Sequence, residues 1–468
     1  MNLFEYIHNY AQQDTEHLAI KTSSEQMSYK QLEQAINCTA NYLCTLGYQE
    51  GDAVLLKLTN KLHFTIMFLG GLRSGCIVVP LPDDRKPQTL ESLAKRVKAK
   101  GIIMDDNFSG DIFHNRSMSC RFDRVVRISE FYHITSGSTG GEKISIRTLD
   151  ALTHEGEAYR DALNFTDEDI LLGLSPLYHS FALGAVIGGA FTSGACMYIV
   201  DKFVPRTVLE ILSREQITRL VLVPAMVKLL CISKADYDSQ VNALKTVLAG
   251  GGPLSKTLKE EFQKKFGIYP SPTYGSTETG GLLLCSDKKY EGSVGVPMPG
   301  VEVKIVDADG KAGYRRSQGE LWVRCPGMQR GYLDAPGNPF DEEEYFPMGD
   351  LVRAEEDGYI YIIGRIKNMI NIGGRKVNPL EIEEVIKKMP NVSDCVVFGV
   401  KQREKEAIKA VIVPKGTLQE EDVRHRCFEE LEYYKLPGMI EMKSALPKNE
   451  MGKIRKDLLM EENDGLLS

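Results

Sequence analysis

The segment from Ile134 to Lys143 carries the clearest indication of chemistry in this sequence. It contains three glycines and four hydroxyl residues, and it ends in a lysine. Glycines allow backbone N–H groups to close around an anion, hydroxyls add further donors, and lysine supplies a point charge suited to phosphate. The pattern favours a phosphate-binding loop over an ordinary surface loop. It is not a Walker A loop, since that motif requires glycine where Glu142 stands.

A second polar segment, Thr273 to Thr279, combines a glycine turn with an aromatic ring, hydroxyl groups and one carboxylate. The ring of Tyr274 could stack on a base. The carboxylate of Glu278 could hold Mg²⁺, a cation that usually keeps only one or two protein carboxylates beside phosphates. Taken alone, the segment is also compatible with a simple polar turn.

Two further segments are weaker when each is read alone. Asp350 follows Gly349 at the end of a predicted strand, where a carboxylate can accept both hydroxyls of a ribose, although an isolated Gly-Asp usually marks a turn. Lys453 follows a glycine and precedes a predicted helix near the C-terminus. It could be presented by a mobile module, or it could belong to a solvated basic tail.

Length and composition limit the possible classes of protein. The 468 residues exceed the ~250–300 at which a single core usually stops growing, so at least two structural units are expected. A net charge of −7 with no long basic run disfavours nucleic-acid binding. Ten scattered cysteines without a C-x-x-C pair disfavour zinc ribbons and indicate a reducing compartment. With no secretory signal in view, a cytoplasmic location is expected.

The uncharged segment Phe181 to Val200 is long enough to span a membrane. Its four glycines favour a helix, a glycine turn and a buried strand from Cys196 to Val200 instead. We therefore expect no membrane span.

Helix-like and strand-like segments alternate along the first half of the chain. Ser28 to Leu46 is predicted as a helix that begins with a capping box of Ser28 and Gln31. Such alternation indicates a parallel sheet covered on both faces. Short strands follow from Val294 to Arg324, and Asn378-Pro379 is predicted to start a helix of a small α/β module.

In their order and spacing, the four segments resemble the adenylate-forming superfamily, which includes acyl-CoA synthetases, aryl-acid ligases, luciferases and peptide-synthetase adenylation domains. The resemblance covers nearly the whole chain and extends to Leu174–Phe181, Ala249–Leu254 and Arg365–Glu383. It implies an α/β fold: stacked α/β/α subdomains plus a β-rich subdomain in residues 1–365, and a small mobile α/β domain in residues 366–468.

The resemblance also implies a set of nucleotide-binding residues. Those for the phosphates are Thr135, Ser136, Gly137, Ser138, Thr139, Gly140, Lys143 and Thr277. Those around adenine are Gly250, Gly251, Gly252, Pro253, Thr273 and Tyr274, with Gly275 and Ser276 beside them. Those at the ribose are Asp350 and Arg365, with Ile362 beside them.

In the superfamily these sites serve two half-reactions. Lys453 would bridge the substrate carboxylate and the α-phosphate while Glu278 holds Mg²⁺, so that ATP and the acid form an acyl-adenylate and pyrophosphate. The small domain then turns about a hinge, here at Lys367, and admits a thiol. The thiol belongs to CoA or to the phosphopantetheine of a separate carrier protein, and its arm would approach Gly373 and Gly374.

Three residues depart from the family pattern. Glu142 replaces a proline beside the phosphate loop, Met348 replaces a threonine, and Asn371 replaces a lysine found in some members. Of the three, Glu142 adds a negative charge where phosphates should bind. A non-catalytic relative that binds nucleotide or acyl chains without turnover is therefore kept as an alternative.

The acid substrate is predicted from the segment Tyr178 to Val186. Adenylation domains for amino acids generally place an aspartate there for the ammonium group, and this segment has no acid. An uncharged carboxylic acid is therefore favoured, most closely a fatty acid, with aryl and amino acids as alternatives. His179 is the candidate residue that lines or gates the acyl pocket, and a buried core histidine is its structural alternative.

Overall fold

The computed structural model describes residues 1–105, 122, 124–136, 142–233, 243–334, 337–402, 405–448 and 454–464. The chain forms two compact units. Unit 1 consists of Met1–Glu302 with Arg324–Glu344, and unit 2 consists of Val303–Val323 with Tyr345–Ser468. The mixed α/β fold is confirmed.

A nine-stranded sheet forms one half of unit 1. In sheet order its strands are β14 (Val296–Pro297), β13 (Gly280–Leu284), β12 (Ser271–Ser276), β11 (Thr246–Ala249), β10 (Arg219–Leu222), β8 (Ile170–Gly173), β9 (Cys196–Ile199), β1 (Leu18–Lys21) and β2 (Gln26–Ser28). The six strands from β12 to β1 run parallel, and the outer strands are antiparallel. All four residues of β9 and of β10 are buried, as expected for parallel strands covered on both faces.

A six-stranded sheet forms the other half of unit 1. In sheet order its strands are β18 (Gly331–Tyr332), β7 (Glu142–Thr148), β6 (Glu130–Ser136), β4 (Ile77–Pro80), β3 (Ala53–Lys57) and β5 (Ala99–Met104). β6 and β7 form an antiparallel hairpin, and β18 continues the sheet beside β7. β6 ends at Ser136 and β7 begins at Glu142, so these strands flank the predicted phosphate loop in the sequence.

Helices pack on and between these sheets. Those of unit 1 are α1 (Leu3–Gln13), α2 (Tyr29–Thr45), α3 (Lys61–Ser74), α4 (Pro87–Arg96), α5 (Leu149–Leu163), α6 (Ser180–Ala182), α7 (Gly189–Ser193), α8 (Pro205–Arg214), α9 (Pro224–Ile232) and α10 (Lys256–Phe266). The predicted capping box of Ser28 and Gln31 starts α2. One core cluster joins apolar residues of α2, α3, α5 and α7 to strands of both sheets, so these helices hold the two sheets together.

The apolar segment from Phe181 folds as predicted. A π-helical turn, Leu183–Gly188, joins α6 to α7, and Gly194 then turns the chain into the buried strand β9 with a φ of +77°. Within the described residues, each helix is too short or too polar to cross a bilayer.

The described residues of unit 2 form three sheets. The first has the order β16 (Ala312–Gly313), β15 (Glu302–Val306), β17 (Gln318–Arg324), β19 (Phe346–Ala354) and β20 (Ile360–Arg365). The others are the pair β21 (Ile370–Ile372) and β22 (Arg375–Val377), and the sheet β23 (Val392–Gln402), β24 (Lys405–Pro414) and β25 (Met439–Met442). The helices are α11 (Pro379–Lys387), α12 (Glu420–Glu430) and α13 (Lys456–Asp464), with short 3₁₀ turns at Ile366–Asn368 and Tyr433–Lys435.

The small α/β module begins as predicted. The side chain of Asn378 accepts a hydrogen bond from the backbone N–H of Leu380, and Pro379 occupies the first helical position of α11. The contact-based division groups the β-rich sheet with this module. The functional boundary between residues 365 and 366 remains a prediction from the sequence.

Candidate nucleotide-binding site

The β6–β7 hairpin presents the stem of the predicted phosphate loop. Thr135 pairs with Lys143, and Ser136 pairs with Glu142, in the antiparallel register. The predicted residues Gly137, Ser138, Thr139 and Gly140 lie outside the described residues. The described stem therefore brings two predicted hydroxyl residues beside the predicted lysine.

Glu142, which stands where the family pattern has a proline, is contacted by two arginines. Arg85 donates from Nη2 to Oε2 of Glu142 at 2.7 Å, and Nη1 of Arg96 lies 4.0 Å from the same oxygen. Arg96 also donates from Nη2 to the backbone carbonyl of Glu142 at 2.9 Å. The carboxylate is therefore neutralised beside α4, so its charge is not free to repel a phosphate.

Lys143 and Glu278 meet at the same tyrosine. The Nζ atom of Lys143 lies 4.8 Å from the ring centroid of Tyr332, and the Tyr332 hydroxyl donates to Oε1 of Glu278 at 3.0 Å. Burial and the nearby Glu278 carboxylate raise the pKa of Tyr332, so the hydroxyl keeps its proton. The predicted phosphate lysine and the predicted metal carboxylate are thus brought together by a side chain that sequence reasoning missed.

A tight turn between β12 and β13 positions Glu278. The hydroxyls of Ser276 and Thr279 lie 3.2 Å apart, and the Thr279 hydroxyl also accepts from the backbone N–H of Ser276 at 3.2 Å. A Cβ atom on Gly275 would lie 2.0 Å from the carbonyl oxygen of Gly280. Only glycine fits there, which is why this turn can close and project the residues that follow.

The predicted adenine-binding residues follow the carboxyl end of β11, from Gly250 onward, and lie within the adjacent parallel strand β12, at Thr273 and Tyr274. A Cβ atom on Gly250 would lie 2.8 Å from both the Phe181 ring and the Thr273 side chain, so these three residues are neighbours. Thr273 donates to the carbonyl of Leu283 at 3.0 Å. Ligands of open α/β sheets commonly bind at this edge. Gly251 takes a φ of +84°, as a tight glycine turn requires.

In unit 2, the predicted ribose-binding residues Asp350 and Arg365 also meet. They are register partners on β19 and β20, and Nε of Arg365 lies 2.8 Å from Oδ1 of Asp350. Asp350 is only 2% exposed. Ile362 lies on the same strand pair, opposite Val352.

The residues predicted for the second half-reaction follow these strands. Lys367 lies in the 3₁₀ turn after β20. Gly373 and Gly374 form the turn between β21 and β22 with φ values of +58° and +88°, and nothing lies within 4 Å of a Cβ added to either. Asn371 accepts from the backbone N–H of Gly374 at 2.9 Å and so stabilises this turn. Lys453 lies outside the described residues.

His179 stands at the N-terminus of α6 without capping it. Its ring packs against Tyr178 with the centroids 4.5 Å apart. Burial lowers the pKa of His179 to about 4, so the ring is neutral at physiological pH. Its Nε2 atom is buried and, within the described part of the chain, has no hydrogen-bond partner. An unsatisfied buried nitrogen is compatible with a polar ligand or a water at this point.

The donor set fits a magnesium ion shared with phosphates. Among the described residues no cluster of three or more metal-ligating side chains occurs, and no ion pair joins Glu278 to a cation. A single carboxylate whose charge is not neutralised, beside hydroxyl residues, suits Mg²⁺, which keeps waters and phosphate oxygens as its other ligands.

Comparison with known proteins agrees with this geometry. The AMP-binding enzyme family matches residues 7–128 and 131–333, and the AMP-binding enzyme C-terminal domain matches residues 381–453. The chain belongs to the AMP-binding enzyme family. The predictions of the adenylate-forming superfamily and of an acid–thiol ligase are thereby confirmed.

Relatives extend over almost the full chain. The long-chain-fatty-acid–CoA ligase of Yersinia pestis is 27% identical over 98% of this chain and 94% of its own length. The 4-coumarate–CoA ligase of Pinus taeda is 27% identical over 92% of this chain and 89% of its own. The ATP-bound structure of MatB from Rhodopseudomonas palustris has a TM-score of 0.90 at 26% identity and full coverage of both chains.

Proposed function

We propose that this AMP-binding enzyme uses ATP to activate a carboxylic acid as an acyl-adenylate, with release of pyrophosphate, and then transfers the acyl group to a thiol. The observation that carries the proposal is the meeting of Lys143 and Glu278 at Tyr332. Tyr332 contacts both a lysine suited to phosphate and a carboxylate suited to a metal, and binding of a metal-complexed triphosphate would need both groups.

The chemical demand of the first step is electrostatic. A carboxylate is a weak nucleophile and must approach a polyanion. Mg²⁺ would neutralise the phosphate oxygens, and Lys143 would add a positive charge at the same group. Lys453 would bring the acid and the α-phosphate together. These residues position the reactants and stabilise charge, and no covalent link to the protein is needed.

For the second step we propose that residues 366–468 move about a hinge at Lys367. Movement would withdraw Lys453 and bring Gly373 and Gly374 towards the thiol arm. Both glycines have open space where a side chain would be, which leaves room for a narrow ligand to approach the backbone. The acceptor is CoA or the phosphopantetheine of a separate carrier protein.

The proposed substrate is an uncharged carboxylic acid, with a fatty acid as the leading candidate. The segment from Tyr178 to Val186 has no acidic side chain, so an ammonium group would have no local counter-charge there. His179 is proposed to line this pocket. The coumarate ligase of Pinus taeda keeps an aryl acid as the second candidate. We also propose a cytoplasmic location, because ten scattered cysteines without a C-x-x-C pair suit a reducing compartment.

The test is acid-dependent ATP–pyrophosphate exchange with a panel of fatty, aryl and amino acids. Exchange with one class would establish adenylation and the class of substrate. Lys453→Ala should reduce exchange at least 100-fold, because one precisely placed charge is lost at the reacting phosphate. Folded protein that binds ATP but exchanges with no acid would favour a non-catalytic relative.

A matched control is available in the same segment. Lys448 makes a surface ion pair with Asp394 at 2.7 Å. Lys448→Ala removes a lysine five positions from Lys453 and should leave exchange close to the parent rate. Equal loss in both variants, or no loss in Lys453→Ala, would contradict the assigned role of Lys453.

A further inference from the structure

Tyr332 lies between two groups that the proposed function needs, although no motif in the sequence marks it. Its hydroxyl donates to Glu278 at 3.0 Å, and its ring faces the ammonium group of Lys143 at 4.8 Å. Glu278 is 54 positions distant along the chain. One aromatic side chain therefore touches both charged residues.

The backbone around Tyr332 makes this contact specific. β18 pairs with β7, so that Tyr332 stands opposite Ser145, and the backbone N–H of Leu333 donates to Ile144 at 2.9 Å. Three residues earlier, the backbone N–H of Gln329 donates to the carbonyl of Glu278 at 2.7 Å. The segment thus ties the phosphate hairpin to the acidic turn by main-chain bonds, and Tyr332 completes the link by its side chain.

Elsewhere in unit 1 the same three residue types meet in a closed arrangement. Tyr269 donates to Glu291, and Nζ of Lys259 lies 5.5 Å from the Tyr269 ring centroid. There, however, Lys259 and Glu291 also pair directly at 2.7 Å. Within the described residues no such ion pair joins Lys143 to Glu278. The tyrosine contacts both charged groups, but the two groups do not neutralise each other in an ion pair.

We propose that Tyr332 is a positioning residue that orients the Glu278 carboxylate and seats the Lys143 ammonium, so that metal binding and phosphate binding are coupled through one side chain. The inference rests on the proposed function for the identity of the ligand. The hydroxyl fixes one carboxylate oxygen and leaves the other for a cation. The ring holds the lysine by a cation–π contact without neutralising it.

Tyr332→Phe separates the two contacts, because it removes the hydroxyl and keeps the ring. ATP binding without acid substrate is measured by calorimetry over a range of Mg²⁺ concentrations and again in EDTA. We expect the apparent affinity for Mg²⁺ to fall about 10-fold, the size of one lost hydrogen bond to a charged group, with ATP binding in EDTA unchanged. Tyr332→Leu should weaken ATP binding in EDTA as well, about 3-fold. If Tyr332→Leu does not fold, Tyr332→Met is measured in its place.

Tyr269→Phe is the matched control, since it also removes a tyrosine–glutamate hydrogen bond beside a lysine. It should change neither Mg²⁺ affinity nor ATP affinity. An unaltered Mg²⁺ dependence in Tyr332→Phe, or the same change in Tyr269→Phe, would overturn the role of Tyr332 alone. Absence of Mg²⁺-dependent ATP binding in the wild type would overturn the inference together with the nucleotide site. Normal MgATP binding without any exchange would instead reject only the proposed function.

Discussion

The Tyr332 and Tyr269 clusters are built from the same three residue types and differ in one contact. In each, a tyrosine donates to a glutamate and packs against a lysine. In the Tyr269 cluster the lysine is 3% exposed and pairs directly with the glutamate. In the Tyr332 cluster, as far as the described residues show, the lysine and the glutamate stay apart.

This one contact distinguishes the Tyr269 cluster from the Tyr332 cluster, which we propose as a ligand site. A closed ion pair satisfies its own charges, so loss of one partner is costly to the fold and the pair offers little to a third group. An open pair leaves both charges available, as the proposed binding of a triphosphate and its metal requires. The two clusters contain the same residue types, so residue type alone does not distinguish them. They differ in whether the lysine and the glutamate form an ion pair.

Among the changes that test the comparison of the two clusters, Glu278→Gln should have the largest effect on activity. Loss of the carboxylate should reduce ATP–pyrophosphate exchange about 100-fold, because charge at the reacting phosphates is no longer balanced through the metal. The free energy of unfolding should change little, since no buried ion pair is broken. Exchange at the parent rate, measured at saturating Mg²⁺, would show that the open cluster is not the metal site.

Glu291→Gln should lower stability and leave activity nearly unchanged, the reverse of Glu278→Gln. It leaves Lys259 buried without its carboxylate and should lower the free energy of unfolding in urea by about 3 kcal/mol, near the lower end for broken buried pairs because Glu291 is partly exposed. Exchange per folded molecule should stay within about 2-fold of the parent. A large loss of exchange with intact stability would remove the distinction between the clusters.

Acid should destabilise the protein through two histidines rather than through either cluster. Burial lowers the pKa of His179 to about 4 and that of His133 well below its ordinary value, with Arg147 also lowering the latter. The unfolded chain takes up these protons below pH 6.5, so stability is lost as pH falls from 6.5 towards 4. The slope is at most about 1.4 kcal/mol per pH unit for each histidine.

Urea unfolding at pH 7 and pH 5 measures this loss. His179→Gln should remove the part of the stability loss that one histidine contributes. Glu291→Gln should leave the difference in the free energy of unfolding between pH 7 and pH 5 unchanged. Burial alone would raise the pKa of Glu291, but hydrogen bonds from Lys259 and Tyr269 lower it overall, so its own contribution is lost only below about pH 4.5. A pH dependence that disappears in Glu291→Gln would contradict this assignment.

The smallest effect is expected for Glu142→Gln. Glu142 is paired with Arg85, so this carboxylate resembles the closed cluster although it borders the phosphate loop. Its side chain is 45% exposed, and loss of the pair should cost no more than about 1 kcal/mol. ATP affinity should change less than about 3-fold. An affinity gain above about 10-fold would show that the charge of Glu142 does reach the phosphates.

The order of the helices and strands and many of the site residues could be predicted from short stretches of sequence. The capping box of Ser28 and Gln31, the start of α11 at Asn378 and the turn at Gly194 all depend on residues within a few positions of each other. Asp350 and Arg365 were predicted to act together, and they meet at 2.8 Å. Their role at a ribose remains a prediction, as do the roles of Lys453 and His179.

The pairing of Glu142 with Arg85 could not be predicted, and it changes how that departure from the family pattern is understood. The two residues are 57 positions apart and meet at the loop end of the β6–β7 hairpin. No periodicity or short motif links such residues, because the contact depends on how β7 lies beside the segment before α4. The same limit applies to Gln329, whose side chain accepts from Ser145 at 2.7 Å across 184 positions.

Short stretches of sequence specify the chemical groups and the local turns that present them. Glycine at 275 is required by the 2.0 Å approach of a carbonyl, and a Gly-Ser-Thr loop followed by Lys143 is suited to phosphate wherever it is placed. Which charges stay apart and which form ion pairs, among the described residues, depends on the tertiary structure. Sheet pairing brings Tyr332 to Glu278 and Lys143, whereas helix α10 brings Lys259 directly to Glu291, and long-range register is not encoded in any one segment.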